Sequence, residues 1–495
     1  MKMTDIPFIM VDDNPCAVPL YRQIYEAVCR SILSGEFNRG MQLPATRQLA
    51  KELGVSRMTV VNAYDQLLAE GYIEGRTGAG TFVASTLPDA MLRVEEVHSS
   101  HRQEPDQPRN HTLSRRGKWL ASTSVKTLRV QADSDNYAFQ NGMPAVDEFP
   151  FRVWSQIASR RLRNPPRELL GYGDPAGYLP LRAGLAAHLK SARAVRCDAS
   201  QVIIVAGSQQ ALDLTARVLL DPDDVAWVED PCYPGAHNTL LSAGAQVVSV
   251  SVDKEGFDLA DALKRSRNAR LVYVTPSHQF PLGVTMSLSR RLALLEWAKR
   301  SGAFVIEDDY NSEYRYAGRP LASLQGLDKD GRVIYVGTFS KTIFPSLRLG
   351  CLVVPKDLTD AFIAARALVD RHSPLLDQAI LADFINEGHF ARHIRRMRSL
   401  YAERQQVLVE AAQRDLKGLL EVAPAEAGMH LVGWLPKKTS DKAASEKAAR
   451  YGVEAAPLSA YSTNPLPRGG LVLGYTAVNA KQIRDGVRRL AQALS

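Results

Sequence analysis

Residues 335–350 read YVGTFSKTIFPSLRLG. One lysine, Lys341, sits in this nearly uncharged run, and Arg348 follows seven positions later. RVIYVGTF (332–339) leads into it as an apolar run of strand type, and CLVVP (351–355) leads out as another. The lysine therefore falls where a buried strand ends. Burial disfavours an ammonium and lowers its pKa, which leaves a neutral amine able to attack an aldehyde. The ordinary alternative is a lysine whose charged head reaches water.

The same alternation continues upstream. QVIIVAG (201–207) precedes the helical pattern SQQALDLTARVLL, and DVAWVEDP (224–231) precedes GAHNTLLSAG. ARLVYVTP (269–276) and AFVIEDD (303–309) flank RRLALLEWAKRS. Strands apolar along their whole length, separated by helices, predict an α/β unit with a mainly parallel sheet covered on both faces. Ligands of such sheets gather at the C-terminal strand ends.

The residues found there suit pyridoxal 5'-phosphate. Asp308 can pair with a pyridinium nitrogen, and Tyr310 can donate to a phenolate oxygen. The backbone amides of Ser208 and Gln209, at a helix start, suit a phosphate dianion. Thr338, Ser340 and Arg348 add donors beside Lys341. Tyr233, in DPCYPG, can stack on a ring face. Each part alone is ambiguous: an Asp at a strand end is more often a cap, and Gly-Ser before a helix is more often an N-cap.

The N-terminal part has another character. PLYRQIYEAVCRSILSGEF (19–37) carries a helical stripe at Leu20, Ile24, Val28 and Ile32, stopped by Gly35. Two further helical patterns follow, the first opened by Pro44 and Thr46 and broken by Gly54. Ser56 caps the second, and Val60, Tyr64 and Leu67 form its stripe. This is a helix-turn-helix, with Ser56, Arg57, Thr59 and Asn62 at the exposed start of its second helix. GYIEGRTGAGTFVAS (71–85) then predicts a hairpin wing turned by Gly78 and Gly80, with Arg76 and Thr77 on its flank. Bases and acids nearly balance between residues 14 and 85, so the argument rests on where the bases sit. LPATRQLAKELGVSRMTVVNAYDQLLAEGYIEGRTGAGTFV (43–83) closely resembles the winged helix of GntR-type bacterial regulators. The resemblance implies a double-stranded DNA operator as partner, contacted by Arg47, Ser56, Arg57, Thr59 and Gly80.

From residue 86 to 135 the apolar period fades. HSSHRQEPDQPRNHTLSRRGKW (98–119), polar and Pro-containing, predicts a flexible or semi-extended tether. Three segments are thus expected: a winged helix-turn-helix over 14–85, a linker over 86–135 and the α/β unit over 136–495.

From about Gly142 onward the order of parts resembles fold-type I aminotransferases: phosphate loop, stacking aromatic, Asp-x-Tyr, then Ser-Lys and Arg-x-Gly. TPSHQFPLGVTMSLSRR (275–291), EDDYNSEYRY (307–316) and GTFSKTIFPSLRLG (337–350) together resemble the MocR subfamily, in which a GntR-type winged helix is fused to an aminotransferase-like domain. That resemblance implies that Lys341 holds pyridoxal phosphate as an internal aldimine and that the cofactor serves as a sensor part. GYGDPAGYLPLR (171–182) matches the segment in which Tyr172 would reach a neighbouring subunit's phosphate, implying a homodimer.

Two departures from working aminotransferases bear on function. Where those enzymes place an asparagine before P-x-G, this chain has Phe280. The C-terminal strand GGLVLGYTAV (469–478) offers no arginine for a substrate carboxylate, although Arg468 is adjacent. Some amino-acid-sensing relatives carry an arginine after Y-P-G-x, where this chain has His237, which also reads as an ordinary residue of a helix start. The expectation is a regulator that senses a small-molecule effector, either an amino compound or a B6 vitamer. The alternative is an active aminotransferase with an appended DNA-binding domain, and a third reading is a structural fold with an empty pocket.

Bulk features agree with this scheme. A chain of 495 residues is too long for one ordinary core. No apolar run approaches bilayer length, and the N-terminus lacks a cleavage-site pattern. The five cysteines, Cys16, Cys29, Cys197, Cys232 and Cys351, are scattered without metal-ligand spacing, which fits a reducing cytoplasm. The net charge of +8 permits polyanion binding. The basic stretch FARHIRRMRSLYAERQQVLVEAA (390–412) reads as a solvated face with few apolar positions, or less readily as a DNA track.

Overall fold

The computed structural model describes residues 18–76, 78–87, 112–122, 138–318 and 322–495. Cys16 and Thr77 lie outside the described residues. The chain divides into two compact units, Met1–His111 and Thr112–Ser495.

In the first unit, helix α1 (Leu20–Leu33) buries Ile24, Val28 and Ile32, the i, i+4, i+8 positions of one helical face. Helix α2 (Thr46–Leu53) stops at Gly54, whose φ of +68° is a left-handed cap. Helix α3 (Arg57–Ala69) begins at Ser56, whose side chain accepts the backbone N–H of Thr59 at 3.1 Å. Tyr64 ties α3 to the start of α2 by donating to the Pro44 carbonyl at 3.1 Å. Strands β1 (Ile73–Arg76) and β2 (Gly80–Val83) pair antiparallel as the expected hairpin. Gln42 bridges to Phe82 and donates to the Ala79 carbonyl, adding a third short edge.

The second unit opens with helix α4 (Arg115–Ser122), where a tether was expected. Arg116 docks it by donating to the Ser242 carbonyl at 2.8 Å, a long-range contact that an apolar-period reading does not register.

The main sheet has eight strands in the order β3-β10-β9-β8-β7-β4-β5-β6. They are β3 (Val202–Val205), β4 (Val225–Asp230), β5 (Gln246–Asp253), β6 (Gly256–Phe257), β7 (Ala269–Val274), β8 (Phe304–Asp309), β9 (Val333–Thr338) and β10 (Gly350–Val353). The β5-β4-β7-β8-β9 run is parallel throughout. β10 runs antiparallel to both β3 and β9, and β6 antiparallel to β5. The sheet is therefore mixed and mostly parallel, and its central strands are buried along most of their length, with Arg270 of β7 exposed.

A second, antiparallel sheet of β11 (Glu421–Val422), β12 (His430–Trp434), β13 (Ala456–Pro457) and β14 (Gly470–Gly474) stands apart in the chain. The helix His389–Asp415 is not simply the solvated face its arginines suggested. Phe390, Ile394, Met397, Tyr401 and Leu408 bury one helical stripe in the core, while Arg392, Arg395, Arg396 and Arg398 stay exposed on the other side.

Candidate functional site

The described elements bring nine of the ten residues assigned to the cofactor into one cavity of about 370 Å³. Lys341 and Ser340 follow the end of β9, which supplies Thr338. Asp308 is the last residue but one of β8, with Tyr310 just past the strand. Ser208 and Gln209 begin the helix after β3, and Tyr233 caps the helix after β4. Arg348, in a left-handed conformation before β10, completes the set. Each lies at a connection between elements, where the backbone leaves the sheet. Tyr172 is not part of this cavity; it is 81% exposed, with the Arg371 guanidinium 4.3 Å from its ring centre.

The end of β8 carries three buried acids in succession, and their partners separate them. Glu307 accepts the backbone N–H groups of Leu324 and Gln325, both at 2.8 Å. Asp309 is held by Arg193 at 2.7 Å, the Tyr335 hydroxyl at 2.7 Å and the Ser312 hydroxyl at 2.8 Å. Asp308 takes one hydrogen bond, from Tyr273 to Oδ2 at 2.9 Å, and its Oδ1 is buried without a partner. A buried carboxylate oxygen is costly to leave unpaired, so Asp308 is set up to receive a further donor from the cavity.

Burial pushes the Asp308 carboxyl up to about 7, with Tyr273 and Lys341 pulling it down and the Asp309 charge pushing it up. Burial would also raise Asp309, but the Arg193 guanidinium and its hydrogen bonds hold it below the usual carboxylate range. Burial lowers the Lys341 amine to about 8, against the opposing pull of Asp308. Its Nζ donates to the Gly142 carbonyl at 2.7 Å. Gly142 has φ of +79°, and a Cβ there would lie 2.7 Å from that nitrogen.

At the other end, Gly207 (φ +105°) brings the backbone so close that a Cβ would lie 3.4 Å from Arg348 Nη2. The guanidinium thus stands against the start of the helix Ser208–Leu219. A helix N-terminus and a guanidinium together favour an anion.

Tyr310 meets a partner that sequence reading missed: its hydroxyl lies 2.9 Å from Nδ1 of His278. Burial lowers His278 to about 3, so the ring is neutral at ordinary pH. Phe280 replaces the expected asparagine with an aromatic wall, its ring centre 5.2 Å from Tyr461 and 5.5 Å from His430. Gln140, Asn141, Tyr273, Met429, His430, Glu454, Ala456 and Tyr461 also line the cavity. Most come from the second sheet and the chain around it, and no local pattern marks them; only the alternation along ARLVYVTP could have aimed Tyr273 to the Asp308 side. Arg468 is turned elsewhere, donating to the Leu435 carbonyl at 2.6 Å and to Glu421 at 2.8 Å. His237 lies in the first helical turn after Tyr233, outside the cavity lining.

In the first unit, Arg47 on α2 and Arg57 on α3 are exposed and unpaired among the described residues. Ser56 and Thr59 share a hydroxyl contact at 2.8 Å, which fixes the start of α3. Gly80 (φ +109°) opens β2, where a Cβ would meet Gln42 Nε2 at 2.8 Å. Arg76 lies over the Phe82 ring at 4.5 Å and pairs with Glu74 at 2.8 Å. Among the described residues there is no cluster arranged for a metal ion and no helix long and apolar enough to cross a membrane.

Comparison with known proteins separates the same two parts. Residues 20–83 match the model for bacterial regulatory proteins of the gntR family, and residues 140–490 match that for aminotransferase class I and II. The chain is 43% identical over 485 residues to the probable rhizopine catabolism regulatory protein MocR of Rhizobium meliloti, covering 98% of this chain and 96% of that one. It is 30% identical over 493 residues to the pyridoxine biosynthesis transcriptional regulator PdxR of Corynebacterium glutamicum, covering 100% and 99%. Among solved structures, a multiple substrate aminotransferase from Thermococcus profundus superposes with a TM-score of 0.70 at 31% identity, over 77% of this chain and 97% of that one. Kynurenine aminotransferase of Pyrococcus horikoshii gives 0.68 at 30%, over 77% and 98%. A regulator's DNA-binding fold and an enzyme's catalytic fold run in one polypeptide, and full-length relatives share that join: the chain belongs to the MocR-like GntR regulators, with a winged helix followed by an aminotransferase class I and II domain.

Proposed function

We propose that this DNA-binding regulator holds pyridoxal 5'-phosphate through Lys341 and uses it to sense an amino compound or a B6 vitamer, altering operator binding. The observation that carries the reading is the unpaired, buried Oδ1 of Asp308 in the same cavity as a lysine whose amine burial has lowered to about 8. Asp308 would pair with the ring nitrogen, and Tyr233 would cover a ring face. Ser208, Gln209, Thr338, Ser340 and Arg348 would hold the phosphate, and Tyr310 would donate to the ring oxygen. When bound, the cofactor supplies an aldehyde carbon reactive toward primary amines and a ring that draws electrons from them.

Tyr172 would complete the phosphate site of a second copy in a homodimer. Its exposure, together with that of Leu170 (65%) and Leu368 (89%), supports an interface on this side of the unit. On DNA, Arg47, Ser56, Arg57, Thr59 and the Gly80 backbone would contact the operator. Binding of an effector would shift the protein between two arrangements with different operator affinity.

The test is direct. Full-length protein mixed with pyridoxal phosphate gains visible absorbance, borohydride fixes added mass on residue 341, and Lys341→Ala shows neither. Protein that stays colourless and unmodified ends the proposal. Sustained amino transfer to several keto acids at enzymatic rates would instead establish the aminotransferase reading, which the 30–31% identical aminotransferase structures keep in view.

A further inference from the structure

The outer half of the cavity has a chemistry of its own. Among the described residues lining the cavity, the cations are Lys341 and Arg348. Arg348 is committed to the helix start beside Gly207, and Lys341 to the Gly142 carbonyl. A second wall of the cavity is made by Asn141, Phe280, His430, Glu454 and Tyr461, with Asn141 next in the chain to the Gly142 that accepts from Lys341. Its one full charge is negative. His430 is pushed by burial to about 4 and accordingly neutral, its Nε2 engaged with the Pro281 carbonyl at 2.9 Å.

Three further observations describe what this wall would accept. The Glu454 carboxylate, on a solvent-exposed residue of the lining, has no hydrogen-bond or ion-pair partner among the described residues, and desolvation raises its pKa. Asn141 Oδ1 is a buried acceptor without a donor. Phe280 and Tyr461 meet edge to face at 5.2 Å, and burial raises the Tyr461 phenol, with a hydrogen bond from Asn141 lowering it and the Glu454 charge adding a smaller push upward. A carboxylate, an open amide oxygen and aromatic faces attract ammonium or hydroxyl donors, and they repel a carboxylate.

We infer that the effector is a primary amine whose far end carries hydrogen-bond donors and no carboxylate: a diamine or an amino alcohol, not an amino acid. The inference rests on the reading of this cavity as the effector site and names the ligand class it takes. One amine lies at the Lys341 end, and the second ammonium or hydroxyl lies between Glu454, Asn141 and Tyr461.

A length-matched series tests it: 1,4-diaminobutane, 4-aminobutan-1-ol, 4-aminobutyrate and butylamine. Each is titrated into pyridoxal-phosphate-loaded full-length protein and followed by its visible spectrum, with the thermal midpoint of the unloaded protein measured in parallel. The diamine and the amino alcohol are expected to bind about tenfold or more tightly than 4-aminobutyrate, the scale of one charge-assisted contact. Glu454→Gln should weaken the diamine about tenfold and the amino alcohol far less. Glu454→Arg should invert the order, so that 4-aminobutyrate becomes the tighter ligand. Equal or tighter binding of 4-aminobutyrate by the parent protein overturns the inference, as does a diamine preference that survives Glu454→Arg. A protein that never colours sinks the functional proposal instead; the thermal midpoint then decides, and no greater stabilisation by the diamine than by 4-aminobutyrate overturns the inference there too.

Discussion

The Tyr310 hydroxyl lies 2.9 Å from Nδ1 of His278, and that imidazole is buried and neutral. Burial also raises the Tyr310 phenol well above its ordinary value, so the proton stays on oxygen; Nδ1 also faces the Asn311 amide nitrogen at 3.4 Å, a group that can only donate, and in that tautomer Nδ1 accepts from the Tyr310 hydroxyl. Any other acceptor for Tyr310 therefore competes with His278. His278→Phe removes the competitor and leaves the hydroxyl free for the cofactor's ring oxygen. The pH midpoint of the loaded protein's visible spectrum should fall by about one unit, the worth of one hydrogen bond. An unmoved midpoint, with the thermal midpoint unchanged, shows that His278 only fills space.

Loading should follow the ionisation of Lys341. Only the neutral amine attacks an aldehyde, and burial lowers this amine to about 8. The rate of pyridoxal phosphate incorporation should rise with pH through about 8 and then level off. Continued increase toward pH 10, as for an exposed lysine, would show that the amine is not desolvated.

Gly142→Ala should impede the same reaction from the backbone side. Its new Cβ would lie 2.7 Å from Lys341 Nζ, at a φ of +79° that side chains avoid. Incorporation should slow by about tenfold or more for a displacement of this size. Stopped-flow absorbance against the parent protein measures it, and an unchanged rate would mean that the lysine head moves aside freely.

Arg193→Ala should be strongly destabilising. It would strand the buried Asp309, whose Oδ2 lies 2.7 Å from Arg193 Nε. Removing one partner of a buried pair costs about 3–5 kcal/mol. Chemical denaturation of the second unit's transition checks this, and a loss under about 1 kcal/mol would show that water reaches the carboxylate.

Arg57→Ala should separate the two halves of the protein. Exposed and unpaired among the described residues at the start of α3, it would touch either a base edge or a phosphate. Operator affinity should fall by about 1–3 kcal/mol while the cofactor spectrum is unaltered. A salt dependence reduced by about one ion identifies a phosphate contact.

The sequence disclosed whatever depended on short stretches of chain. Apolar runs ending in Asp308, Thr338 and Val205 marked strands, and the polar residues just beyond them marked the cavity, because a parallel sheet gathers its strand ends on one side. The Ser56 cap and the Gly54 stop were legible for the same local reason. The part of the lining that comes from the C-terminal chain was not legible: His430, Glu454 and Tyr461 arrive from distant chain in and around a separate sheet, and spacing carries no trace of that encounter. His278 escaped notice because its role depends on meeting Tyr310 across two loops. In the helix His389–Asp415 the arginines drew attention from Met397, Tyr401 and Leu408, whose helical spacing was present all along.

The three acids that close β8 also set a reading frame. Side chains along a strand point alternately to opposite faces, so Glu307 and Asp309 share one face and Asp308 has the other. Removing a single residue anywhere between Phe304 and Ile306 would turn every later side chain over, presenting an occupied acid to the cavity and burying the available one beneath Arg193. Strand β8 should therefore tolerate conservative substitution yet reject every one-residue insertion or deletion, so that lineages of this protein vary in length only outside it.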